Sequence, residues 1–115
     1  EPCGQIDQVG NLHGATATNR DTGGYHDKIV NLELKSLGAP QDIGNGFLFR
    51  NYDSGGLWHG LSTSLYHHRF LRQNPEQLEK QTKRIMKEAK EKWPLERMYE
   101  GYLKLYEKLN NGPLF

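Results

Sequence analysis

Apolar positions along this chain fall into two regimes. Up to about residue 50 they come in short groups interrupted by glycine, with Gly4, Gly10, Gly14, Gly23, Gly24, Gly38, Gly44 and Gly46 all in the first half. Beyond it they recur at three- and four-residue spacing over long stretches, the period of an amphipathic helix. In the first regime residues 5–13 predict a short helix with Ile6, Val9 and His13 on one face, stopped by Gly14. Residues 15–19 predict a short strand, Thr22-Gly23-Gly24 a turn, residues 28–34 an extended or short helical piece, and residues 35–45 a loop punctuated by Gly38, Pro40 and Gly44. Gly46-Phe47-Leu48-Phe49 is the best strand: short, aromatic and bounded by Gly46 and Arg50-Asn51.

The second regime predicts three helices. Asp53 or Ser54 caps the first, whose stripe is Leu57, Trp58, Leu61, Leu65 and Tyr66. Asn74-Pro75 opens the second, with Leu78, Ile85, Met86 and Ala89 along one side. Pro94 interrupts the chain, and the third follows with Met98, Tyr99, Tyr102, Leu103, Tyr106 and Leu109 as the residues to bury, ending near Asn110-Asn111-Gly112-Pro113. A few short strands followed by three helices point to the α/β class and to part of an α/β domain, because two strands alone make a marginal sheet. The chain divides at residue 53 into a loop-and-strand region, 1–53, and a helical region, 54–115.

Composition narrows this only modestly. The 115 residues suffice for one small domain, and a mean hydropathy of -0.85 marks a polar, soluble globular composition with few core-forming residues. Fifteen basic against 14 acidic residues leave a net charge of +1, so nothing points to nucleic acid or an anionic membrane as partner. Lys80, Lys83, Arg84, Lys87, Lys90 and Lys92 are interleaved with Glu79, Glu88 and Glu91, the pattern of a solvated helix face. Cys3 is the single cysteine, which excludes an internal disulfide and fits a reducing, cytoplasmic setting. No apolar run is long enough to span a membrane. The start on a glycine turn, without Met, reads as a fragment of a longer protein.

Candidate chemistry begins at Glu1-Pro2-Cys3-Gly4. A glycine turn running into a helix presents free backbone N–H groups to an anion, and a carboxylate beside it can bond sugar hydroxyls. Three further candidates have plainer readings. His67-His68 and His59 do not form a metal site, since adjacent helical positions point apart, and neither a metal nor a cofactor is expected. Trp58 and Trp93 favour core packing over carbohydrate stacking. Asp27 favours a structural acceptor beside the paired glycines over a catalytic acid.

The order of these motifs resembles the glycogen and starch synthases. Glu1-Pro2-Cys3-Gly4, a ten-residue stretch to Gly14, a strand-like segment, and Thr22-Gly23-Gly24 with Asp27 beyond are similar to the family's E-P-C-G, helix, strand and T-G-G-L-x-D run. Gly44-Asn45-Gly46-Phe47-Leu48-Phe49 is similar to its G-x-G-F-x-F segment. Trp93-Pro94-Leu95-Glu96-Arg97, followed by Tyr102, Leu105 and Tyr106, is similar to its closing S-W-E-R and Y-x-x-L-Y, with Pro94-Leu95 as an insertion. The departures are Gln5 and Ile6 where the family has Leu and Thr, the polar Asp7 and Asn11, the run 15–19, and Tyr25 in place of leucine.

The resemblance implies the C-terminal part of a Rossmann-like domain of a GT-B retaining glycosyltransferase, moving glucose from a nucleotide sugar (ADP-glucose or UDP-glucose) to an α-1,4-glucan acceptor. It implies Glu1 as the catalytic carboxylate, Cys3, Gly4 and Gln5 as donor-sugar-binding positions, and Thr22, Gly23 and Gly24 as a nucleotide-side loop. The alternative is a non-catalytic, synthase-derived binding or regulatory module.

Overall fold

The computed structural model describes residues 5–32, 34–35, 39–40 and 43–113. It is mixed α/β and mostly helical. The order is α1 (Ile6–Leu12), β1 (Ala17–Arg20), α2 (Gly23–Lys28), β2 (Leu34–Lys35), β3 (Ala39–Pro40), β4 (Gly46–Phe49), α3 (Ser54–Arg72), α4 (Pro75–Lys92) and α5 (Leu95–Asn110). The expected strand at 15–19 forms two residues later at its start and one at its end, and the turn at Thr22 proves to open a helix. Part of the loop expected at 35–45 is a two-residue antiparallel ladder, Leu34 against Pro40 and Lys35 against Ala39.

β1 and β4 pair in parallel, from Ala17 opposite Gly46 to Arg20 opposite Phe49. A parallel bridge from Asn31 to Gly46 adds a third segment on the other side of β4. Asparagines hold this segment in place of a full ladder. The Asn31 side chain accepts from the Leu48 N–H at 2.7 Å, and the Asn45 side chain accepts from Val30 N–H at 2.8 Å and donates to the Lys28 carbonyl at 3.1 Å. Asn11, buried on α1, donates to the carbonyls of both Ala15 and Asn45 at 3.0 and 2.9 Å, fastening the helix to the sheet. The polar residues that depart from the family pattern in this helix are thus its inward face. Asp7 and Asn11 are buried, whereas Ile6 and Val9, expected to share an inner face with His13, are exposed, as is His13 itself.

The helix caps follow the sequence. Asp53 accepts from the Gly56 N–H at 2.6 Å and opens α3. Asn74 occupies the N-cap of α4 with Pro75 next, but its side chain turns back to the Phe70 carbonyl at 2.9 Å and closes α3 instead. Gly14, at φ +80, ends α1 in the left-handed conformation against Thr82 of α4.

The helix faces follow it less well. α3 buries Gly56, Gly60, Ser64, His67 and Leu71, and leaves Leu57, Trp58, Leu61, Leu65 and Tyr66 exposed. The reason is distance. A Cβ on Gly60 would lie 2.8 Å from the Phe49 ring and 3.2 Å from Thr18 Cγ2, so the small-residue face is the one that lets α3 settle onto β1 and β4. α4 matches expectation better, with Ile85 and Ala89 buried beside Gln81, and Leu78 and Met86 half-buried. α5 buries nothing: Met98, Tyr99, Tyr102, Tyr106 and Leu109, expected in the core, are all exposed and Leu103 is half-buried.

The core is correspondingly small. Leu32, Phe47 and Ile85 form its centre, joined among buried apolar residues by Ile29, Leu71 and Ala89. The Phe47 ring meets the His67 and His68 rings edge-on at 5.4 and 6.1 Å. No described helix is long and apolar enough to cross a membrane.

Candidate functional site

Glu1, Cys3 and Gly4, the positions assigned to catalysis and donor binding, lie outside the described residues. Gln5 is described. It is the N-cap of α1, its side chain makes no cap bond, and its carbonyl accepts from the Val9 N–H at 3.0 Å. Thr22 is the N-cap of α2 in extended conformation, also without a side-chain cap bond, and Gly23 follows at φ +52. Gly24 sits over the Lys28 stem, since a Cβ there would lie 3.4 Å from Lys28 Cε.

Lys28 joins the two predicted regions. Its side chain is only 11% exposed, and its Nζ lies 3.5 Å from Asp7 Oδ1 in the first turn of α1 and 5.7 Å from the Tyr25 ring centre. An ion pair this far from water holds only when both partners are present. It therefore couples the helix after Gln5 to the helix that starts on Thr22. Residue order alone gives Lys28 no role, because its partner is 21 residues away.

A second group stands beyond the carboxyl ends of β1 and β4, where open α/β sheets bind ligands. Asp21 Oδ1 lies 2.6 Å from His26 Nδ1, and Arg50 Nε lies 3.5 Å from the other carboxylate oxygen. The bond to Asp21 holds the His26 imidazole above its ordinary value, and the bond from His26 holds the Asp21 carboxyl below the usual range. Beside them the Arg20 guanidinium covers the Tyr52 ring at 4.6 Å. Asp27, expected as an acceptor beside the paired glycines, is exposed.

Gln5 also lines a cleft of about 620 Å³ between the start of α1 and the elbow of α4 and α5. Gln8 of α1, the turn Lys92-Trp93-Pro94-Leu95, and Arg97 and Met98 of α5 line the rest of it. Trp93 keeps 36% of its surface exposed and Trp58 keeps 72%, so neither tryptophan has the core role expected of it. Lys92 Nζ lies 5.1 Å from the Trp93 ring centre, and Arg97 Nη1 is 3.5 Å from the Lys92 carbonyl. The only sequence signal for this cleft is Trp93-Pro94 itself, a large ring at a chain break.

Among the described residues no three His, Cys, Asp or Glu side chains converge as metal ligands. His67 and His68 serve packing. His67, 2% exposed, pairs with Gln81 at 2.9 Å, and His68 with the Thr16 hydroxyl at 3.0 Å.

Over 65 residues, 56% of its length, the chain is 32% identical to the glycogen synthase of Desulforudis audaxviator (strain MP104C). That stretch is 12% of the relative's length, so the chain spans a small part of the curated protein it matches. No family model matches the chain, and no solved structure matches it. The similarity is to a glycosyltransferase, and it is local.

Proposed function

We propose that this chain is part of a glycogen/starch-synthase-like GT-B glycosyltransferase that transfers glucose from ADP-glucose or UDP-glucose to an α-1,4-glucan with retention. The observation that carries the reading is the ordered set of motifs from Glu1 to Tyr106, joined by the 65-residue match to a glycogen synthase. Two structural features support it. The parallel β1–β4 pair is a fragment of the kind of sheet that ordinarily has many strands and both faces covered. The apolar stripes of α3 and α5 lie uncovered, as they would if most of the protein's mass packed against them.

In this reading Glu1 contacts the donor glucose, the backbone at Cys3, Gly4 and Gln5 binds its hydroxyls and the neighbouring phosphate, and the Thr22-Gly23-Gly24 loop lies on the nucleotide side. Fixed N–H groups and nearby cations would stabilise the charge that builds on the leaving diphosphate, which is usually the largest contribution to such a transfer. The Lys28–Asp7 pair would keep the loop and the donor-side helix in register.

The test is label transfer from ADP-glucose and UDP-glucose to glycogen by the longer polypeptide that carries these residues. Transfer is expected, and Glu1→Ala should lower it by about 100-fold or more. The 115-residue chain by itself should transfer nothing. Absence of transfer from both donors would overturn the reading; glucan binding without transfer would favour a non-catalytic, synthase-derived module.

A further inference from the structure

The cleft beside Gln5 brings together an open volume, an aromatic ring and side-chain amides. It is an open groove of about 620 Å³, wide enough to lay a sugar ring along its wall. Its aromatic ring is not fully covered: Trp93 follows the last residue of α4, and Pro94 turns the chain away before the ring can be enclosed. Its polar groups include two side-chain amides at the start of α1, Gln5 exposed and Gln8 half-buried.

The cations of the cleft have local engagements. Lys92 lies over the Trp93 ring, and Arg97 reaches the carbonyl of Lys92. These contacts stiffen the wall, leaving the uncovered part of the ring, the two amides and the remaining N–H groups of Arg97 to meet a guest. An aromatic platform flanked by amide donors and acceptors suits a pyranose, whose C–H face packs on the ring while its hydroxyls bond at the edge.

We infer that the cleft between α1 and the α4–α5 elbow is a glucan-binding subsite, with Trp93 as its stacking platform and Gln5, Gln8 and Arg97 bonding the sugar hydroxyls. The choice of an α-glucan over other sugars rests on the function proposed above. The place of the subsite, next to the segment that would hold the donor, suits it to holding a chain close to the point of transfer. Trp93, Gln8 and Arg97 act here in binding, and none takes part in chemistry.

The 115-residue chain contains two tryptophans, so in it Trp58→Phe leaves Trp93 as the sole indole reporter. In that background, maltohexaose should shift Trp93 emission saturably, with half-saturation at about 1 mM, an affinity ordinary for a shallow sugar site. Gln8→Ala should weaken binding about threefold to tenfold, and Trp93→Ala, followed by glucan-shifted amide resonances, about tenfold or more. Trp93→Tyr should recover part of the loss, which separates stacking from a folding defect, and circular dichroism checks that each variant keeps its helices.

No saturable shift with about 10 mM maltohexaose, in a protein with an intact spectrum, would overturn the subsite. So would unchanged affinity in Trp93→Ala, or a response to ADP or inorganic phosphate with none to maltohexaose. Failure of glucosyl transfer with Trp93-dependent glucan binding intact would count against the proposed enzyme and leave the subsite standing.

Discussion

At the scale of single residues, the histidines are the groups whose environment is most demanding. Burial pushes both the His67 and His68 imidazoles below their ordinary value. Since Gln81 Oε1 accepts the bond from His67 Nε2, the ring's Nδ1 is the unprotonated nitrogen, and it is buried without a partner. A proton added there would place a charge against the Phe47 ring with no acceptor to receive it. The unfolded chain binds protons at these rings from about pH 6.5 downward while the folded chain resists, so the unfolded state takes up more protons and stability falls as pH drops. The stabilisation is full above about pH 6.5 and is lost progressively as pH falls through the lowered folded values, at about 1.4 kcal/mol per unit of depression. Urea midpoints should therefore drop between pH 7.5 and pH 5.5, and the double substitution His67→Leu with His68→Leu should flatten that slope. A slope unchanged by the double substitution would place its origin elsewhere. His26 works in the opposite sense. Its raised value adds stability below pH 6.5 that fades as pH rises through the folded value, but it is solvent-exposed and weakly coupled to folding.

At the scale of elements, α3 shows what periodicity conveys and what it leaves out. Its length, its Asp53 cap and the Asn74-Pro75 start of the next helix could all be read from residue order, because caps and breakers act over three or four residues. Which face turns inward could not. Leu57, Trp58, Leu61 and Leu65 dominate any hydrophobicity count, yet Gly56 and Gly60 decide the packing because they permit contact with Asn51 and Phe49. The same limit applied to α1, where buried Asp7 and Asn11 find partners 21 and 34 residues away. The candidate site divides along this line. Gln5 enters from a sequence motif alone, whereas Lys28 and the Trp93 cleft depend on elements brought together only by folding. Two alanine substitutions measure the distinction. Gly60→Ala should destabilise the protein by about 1–3 kcal/mol, because its Cβ meets the Phe49 ring at 2.8 Å and overpacking outweighs the gain in helix propensity. Gly101→Ala, with nothing within 4 Å, should instead raise the helicity of α5, worth about 1 kcal/mol locally. Thermal melts followed at 222 nm check both, and equal effects of the same sign would show that packing against the sheet does not set the face of α3.

At the scale of the whole molecule, the extents of 55 × 35 × 22 Å and a radius of gyration of 17.3 Å describe an elongated body. A compact chain of this length would have a radius of about 13 Å. α5 contributes to that elongation, since it leaves the α4 end at Pro94 and buries no residue of its own. Its stripe of Leu95, Met98, Tyr99, Tyr102, Tyr106 and Leu109 is amphipathic in sequence and unpaired in structure. A helix in that state adds little to the stability of the rest, since helical stability in proteins comes mainly from packing of the apolar face. α4 differs, because Ile85 sits in the core cluster, Gln81 bonds to His67, and Arg84 donates to the Gly44 carbonyl at 2.7 Å. A chain ended after Trp93 should therefore keep its cooperative unfolding with a midpoint within about 5 °C of the full chain, the shift expected for a change of about 1 kcal/mol. It should also bind less of an apolar dye such as ANS, having lost the larger of its exposed stripes. A chain ended after Asn74 should fail to fold, because it removes one of the three residues of the core centre. If the chain ended after Trp93 lost its transition altogether, α5 would be holding the fold through contacts stronger than its exposure allows, and its stripe could not be read as a surface waiting for cover.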